Sequence, residues 1–137
     1  MRYVSLILGF CLALSDSVQA GELVQLNEVK TEWQNLYGII LYSATAKVEN
    51  RSSEPVRFVK VKLELFDKDG ASVASAEGYN LAAESLGDDS VPGTIEEKLK
   101  RVSPIPPGGS DPLRISLEKS DIGKPFRTAV VSIVEIR

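Results

Sequence analysis

The most constraining stretch of the chain is Val59-Lys60-Val61-Lys62-Leu63-Glu64-Leu65, in which apolar and charged residues alternate one for one. Successive side chains of an extended chain point to opposite faces, so the pattern places every apolar residue on one side and every charge on the other. A helix would scatter the same residues around its circumference, which leaves a strand with one buried and one wet face. Such a strand must lay its apolar face against a second layer. Phe58 and Phe66 bracket it on the nominally outer side, as cover for a sheet edge or as an accessible patch.

The surrounding sequence supplies partners. Ile40, Tyr42, Ala44, Ala46 and Val48 fall on one side of a second strand, opposite Ser43, Thr45, Lys47 and Glu49, and Asn50 to Pro55 ends it with turn-forming residues. Asp67-Lys68-Asp69-Gly70 is a polar connection in which Gly70 can adopt a left-handed conformation, and Ser72 to Tyr79 then returns antiparallel. Gly21 to Asn35 offers a first strand followed by an irregular entry, and Leu81 to Leu86 a short helical turn. Thr94 to Ser103 reads as a charged edge strand. Pro104, Pro106, Pro107 and Gly108-Gly109-Ser110 interrupt regular structure before Leu113, Ile115 and Leu117 turn toward one face. Thr128 to Ile136 is apolar on both sides, as a covered central strand would be. About seven short strands, with no long amphipathic helix to cover a parallel sheet, predict an all-β antiparallel sandwich. A small open barrel shares the same periodicity.

The first twenty residues have a separate character. Arg2 precedes the apolar run Val4 to Leu14, and Val18-Gln19-Ala20 ends it with small residues at the positions a signal peptidase requires. This predicts a cleavable signal peptide over 1–20 and a single domain over 21–137, exported to the periplasm or beyond. The run is short for a membrane span, and no second apolar segment follows, so the domain is not expected to cross a membrane. Cys11, the one cysteine, follows Phe10 within the apolar run, which argues against a lipid-modified cysteine and removes it with the leader. A cysteine-free domain has no pairing problem in an oxidising compartment.

The run Ala46-Lys47-Val48-Glu49-Asn50-Arg51-Ser52-Ser53, followed by Val59 to Leu65 and then Phe66-Asp67-Lys68-Asp69-Gly70, resembles the FxLYD domain family over about Tyr37 to Ile136. Leu65-Phe66-Asp67 stands where that family carries Leu-Tyr-Asp, and Pro106-Pro107-Gly108 where such domains carry a proline-glycine turn. The resemblance implies an immunoglobulin-like β-sandwich of the bacterial cell envelope, and it brings no catalytic residues with it.

The chemistry available to the chain is narrow. It has no histidine, and beyond Cys11 no cysteine, which removes histidine acid-base catalysis, cysteine nucleophiles and the common histidine/cysteine zinc sites. No serine and lysine stand at a spacing that marks an activated pair, and no pair of carboxylates is singled out for glycosidase chemistry. No catalytic, cofactor or metal residues are therefore assigned. Asp67-x-Asp69-Gly70 opens like a calcium loop, but Ala71, Ser72 and Val73 follow where oxygen ligands would be needed, so a hairpin turn is expected. Glu84, Asp88 and Asp89 read as a solvated loop, and Asn50-Arg51-Ser52, although it fits a glycosylation acceptor, as a turn signal. The formal net charge of -3, with both signs interspersed, gives no footprint for nucleic acid.

What remains is binding or support. A non-catalytic envelope module would meet another envelope protein through an exposed strand edge or through an aromatic patch drawn from Tyr37, Tyr42, Phe58, Phe66 and Tyr79. The competing readings are a spacer within an envelope assembly and an enzyme with an unrecognised carboxylate or serine/lysine site.

Overall fold

The computed structural model describes residues 23–137; the leader, its cleavage point and Cys11 lie outside the described residues. Two three-stranded antiparallel sheets pack face to face. One has the order β1 (Val24–Leu36), β2 (Ile39–Asn50), β5 (Ser110–Glu118), and the other the order β4 (Ser72–Tyr79), β3 (Val59–Phe66), β6 (Thr128–Ile136). The predicted sandwich is thus present in its coarse form, with six strands among the described residues instead of about seven.

The alternation that defined β3 is realised residue by residue. Val59, Val61, Leu63 and Leu65 are fully buried, while Lys60, Lys62 and Glu64 stay partly in water. Tyr42, Ala44, Ala46 and Val48 of β2 and Leu113, Ile115 and Leu117 of β5 face them from the other sheet. Each fully buried leucine or valine contributes ~1.5–3 kcal/mol against the ordering entropy. The β3–β4 hairpin forms at the expected turn: Gly70 takes φ 82°, and the Asp67 carboxylate accepts from the Asp69 and Ala71 amides at 2.9 and 3.0 Å.

Three expectations are corrected. Thr94 to Ser103 is not a strand but contains a helix, α1 (Ile95–Leu99), started by a capping box in which Thr94 Oγ1 accepts from the Glu97 amide and Glu97 Oε1 accepts from the Thr94 amide. The dense charges of this segment are those of a helix with an acidic first turn and Lys98 at its end. Phe58 is not an outer patch. It is buried in a second apolar cluster with Ala83, Leu86, Leu99 and Val102, because the excursion between β4 and β5, a 3-10 helix at Leu81–Gly87 followed by α1, folds over it. Finally, β6 is not a covered central strand: it pairs with β3 alone and its residues are half-buried or exposed.

Two buried asparagines join the layers where the crossovers gather. Asn50 Nδ2 donates to the Glu54 and Ile105 carbonyls, both at 2.8 Å. Asn80 Oδ1 accepts from the Val59 amide at 2.9 Å, and its Nδ2 donates to Asp111 of β5 at 2.9 Å. An isolated bridge between Asn80 and Leu113 adds to this closure, so the β4–β5 flank is shut. On the opposite flank β1 and β6 lie in different sheets and no strand pairing joins them.

Candidate functional site

The end of the sandwich away from the asparagines carries the β1–β2 turn, the β3–β4 turn and the β5–β6 connection. β1 and β2 are joined by a two-residue reversal, Tyr37-Gly38, with φ 54° and 90°, and the Asn35 side chain accepts from the Gly38 amide at 2.9 Å. Both residues in the left-handed region match a turn whose twist suits a hairpin. This reversal sets the register that brings Trp33 opposite Tyr42, and Tyr42 in turn lies opposite Leu117.

Trp33 and Tyr42 meet edge to face, with ring centroids 5.1 Å apart. Phe126, from the β5–β6 connection, completes the group 4.9 Å from Tyr42 and 6.0 Å from Trp33. The connection is held in place by a 3-10 turn at Lys119–Asp121 and by the Arg127 amide, which donates to the Phe66 carbonyl at 2.7 Å. On the other face of the same sheet, Ser43 Oγ bonds both Gln34 at 3.2 Å and Ser116 at 2.7 Å, which ties β1, β2 and β5 together directly behind the tryptophan.

The three rings wall a cleft of about 510 Å³ whose remaining lining includes Ile122, Pro125, Lys119, Lys124 and Arg127. Tyr42 is buried, but Trp33 is 47% exposed. A half-exposed tryptophan held edge to face against a fixed tyrosine presents a large surface with little ordering entropy left to lose on binding. Three cations and no carboxylate line the cleft. Ile40, on the Tyr42 face of β2, is exposed, as are Leu36, Tyr37 and Ile39 at the hairpin tip, of which Leu36 and Ile39 lie on the opposite face of the sheet.

Of the aromatic residues singled out in the sequence, the structure brings Tyr42 to this site and leaves Tyr37 in solvent at the tip of the β1–β2 hairpin. Phe66 is half-buried, and Phe58 and Tyr79 pair with each other at 5.3 Å on the second apolar cluster. Trp33 and Phe126, the two residues that define the cleft with Tyr42, carry no signal in local periodicity. Trp33 becomes legible only once the Tyr37-Gly38 reversal is recognised, since folding there pairs it with Tyr42.

The other candidates resolve into structural roles. Asp67 organises its own turn, as above. Asp88 accepts from the Ser90 amide at 2.9 Å and hydroxyl at 2.6 Å, which holds its carboxyl below the usual range. The Asn50 side chain is fully buried, and its oxygen accepts from the Ser52 amide and hydroxyl, in keeping with the turn reading. Among the described residues no group of three or more histidine, cysteine, aspartate or glutamate side chains converges in a metal-binding arrangement, and no helix is long and apolar enough to cross a membrane. Comparison of the chain with protein-family models, with curated proteins and with solved structures gives no match.

Proposed function

We propose that the chain is an exported, non-catalytic module of the cell envelope that binds a protein partner through the Trp33 cleft. The observation that carries this reading is the half-exposed Trp33, fixed against Tyr42 and Phe126 in a cleft lined by Lys119, Lys124 and Arg127. That combination suits an apolar or aromatic side chain presented by a segment with carboxylates nearby. The leader pattern over 1–20 supports export. The resemblance to the FxLYD family, together with two packed antiparallel sheets, supports an immunoglobulin-like envelope module.

The test is crosslinking of the exported protein in intact cells, in parallel with the Trp33→Ala variant. A partner captured by the native chain and lost with Trp33→Ala is the expected result, with the variant's thermal melt unchanged to show that it folds. Trp33 is the sole tryptophan, so the purified partner should also shift its fluorescence. Identical capture by the two proteins overturns the cleft as the binding site. Recovery of the chain from the cytosol with its first twenty residues intact overturns export.

A further inference from the structure

The two hairpin turns at the Trp33 pole differ in chemistry. The β3–β4 turn is Asp67-Lys68-Asp69-Gly70, whereas the β1–β2 reversal lies in a run from Trp33 to Ala46 that holds no charged residue. β5 ends at Glu118, opposite Leu41. The last rungs of the β1–β2 ladder, Asn35 with Ile40 and Leu36 with Ile39, therefore extend past the third strand as a two-stranded ribbon. Leu36, Ile39 and Ile40 are exposed on this ribbon, and the Tyr37 ring stands wholly in solvent at its apex. Single exposed apolar residues are ordinary on a protein surface, but a cluster of large ones on a projecting tip marks an interaction site.

The shape of the tip restricts what covers it. Leu36 and Ile39 lie on one face of the ribbon and Ile40 on the other, so a protein surface docked on either face leaves apolar side chains in water on its back. A fluid lipid layer surrounds both faces at once. The main chain of the tip is already paired, as a lipid environment requires: the strands bond up to Leu36 and Ile39, and the Gly38 amide donates to the Asn35 side chain. Trp33 stands three residues behind Leu36, about 10 Å along an extended chain, beside Lys119, Lys124 and Arg127. Tyrosine and tryptophan favour the boundary between water and lipid, and cations at that level meet headgroup phosphates. Asp67 and Asp69 of the β3–β4 turn, with Glu118 and Asp121, offset these three cations and Lys68. A collar of both signs complements the phosphates and ammonium groups of a zwitterionic headgroup layer better than a surface of one sign.

We infer that the β1–β2 hairpin tip inserts into the boundary between headgroups and acyl chains of a phospholipid bilayer. Leu36, Tyr37, Ile39 and Ile40 are immersed, and Trp33 and its neighbouring cations lie at headgroup level. Interfacial elements of this kind reach about 5–10 Å into the boundary, a depth the projecting ribbon supplies. The tip thus holds the domain on a membrane surface without crossing it, through apolar burial and not through long-range attraction. A partner taken up in the Trp33 cleft is then met at that surface.

The test uses residues 21–137, which hold both sheets and the whole described core, so that the apolar run Val4 to Leu14 cannot itself bind lipid. The probes are vesicles of phosphatidylcholine alone and of phosphatidylcholine and phosphatidylglycerol in equal parts. The chain should sediment with both, with affinities within about threefold of each other and little changed by high salt. The emission of Trp33, the sole tryptophan, should shift to the blue. Ile39→Asp and Ile40→Asp, on opposite faces of the ribbon, should each weaken binding about tenfold. Leu81→Asp, in the excursion after β4 and as exposed as Ile39 at 52%, should leave it unchanged. Circular dichroism and a thermal melt check each variant, and Ile40→Ser replaces Ile40→Asp if the latter unfolds. Absence of sedimentation with either vesicle, or binding that needs phosphatidylglycerol and vanishes in salt, overturns the inference. So does sensitivity to one ribbon face alone, as a protein contact would show. Partner capture through Trp33 reads out separately: vesicle binding without capture sinks only the cleft reading, and capture without vesicle binding sinks only this one.

Discussion

Asn50 Nδ2 lies 2.8 Å from the carbonyl oxygen of Ile105, across 55 positions of sequence, and donates its second proton to Glu54. One fully buried amide therefore binds the end of β2 to the segment that leads into β5. Removing it breaks both of these bonds and leaves the Ser52 amide and hydroxyl without their acceptor, while the Ile105 carbonyl keeps the Val56 amide and the Glu54 carbonyl keeps the Ser52 hydroxyl. Asn50→Ala should destabilise the domain by about 3 kcal/mol, read as a lowered urea midpoint with an unchanged slope. Asn50→Asp should be no milder, since it replaces the donor with a buried charge; a wild-type midpoint for either variant would show that the amide is not what joins these segments.

Tyr37 occupies the left-handed region at the tip of the β1–β2 hairpin with its ring wholly in solvent. A tyrosine gains nothing there from packing and is held in a conformation that asparagine and glycine adopt more readily. Tyr37→Asn should raise stability by about 1 kcal/mol, measured by thermal unfolding. If Tyr37 contributes to the partner surface, the same variant weakens capture; a variant both less stable and equally well captured would contradict the assignment of strain to this turn.

Acid should loosen the excursion between β4 and β5 before the sandwich. The hydroxyl and amide of Ser90 hold the Asp88 carboxyl below its ordinary value of 3.8, and the Thr94 amide and hydroxyl hold that of Glu97 below 4.5. A carboxylate with a depressed folded pKa contributes stability that is present above its unfolded value and lost as pH falls through the folded one. Amides of Ser90, Thr94 and Glu97 should accordingly exchange faster below about pH 4 while those of β3 stay protected. Lys60 has the opposite sign: its hydrogen bond to Glu77 raises it above 10.5, so its contribution persists through neutral pH and fades only as pH climbs past that value. Uniform loss of protection in acid would count against a separately held excursion.

The elements legible in the sequence are those in which burial follows a local period. β3 is the clearest, because each of its residues is sorted by the two faces of one sheet, and the Asp67–Gly70 reversal is fixed by residues inside the turn. The misread segments are those where a distant neighbour decides. Phe58 is covered by a helical excursion that begins more than twenty residues later, and β6 is apolar on both faces although it sits at an edge. The capping box at Thr94 and Glu97 was available as a local signal, but the surrounding charges resembled a strand edge. The cleft was hidden for the same reason as the asparagine clasps: Trp33, Tyr42 and Phe126 come from three separate segments, and only pairing register and a crossover bring them together.

The backbone beginning at Leu23 and that ending at Arg137 leave the domain at the same pole. The Leu23 carbonyl accepts from the Arg51 amide, and the Arg137 carbonyl accepts from the Arg57 amide. A segment joined at either of these points would therefore meet the domain at the pole of the clasped crossovers, at the opposite end from the Tyr37-Gly38 reversal.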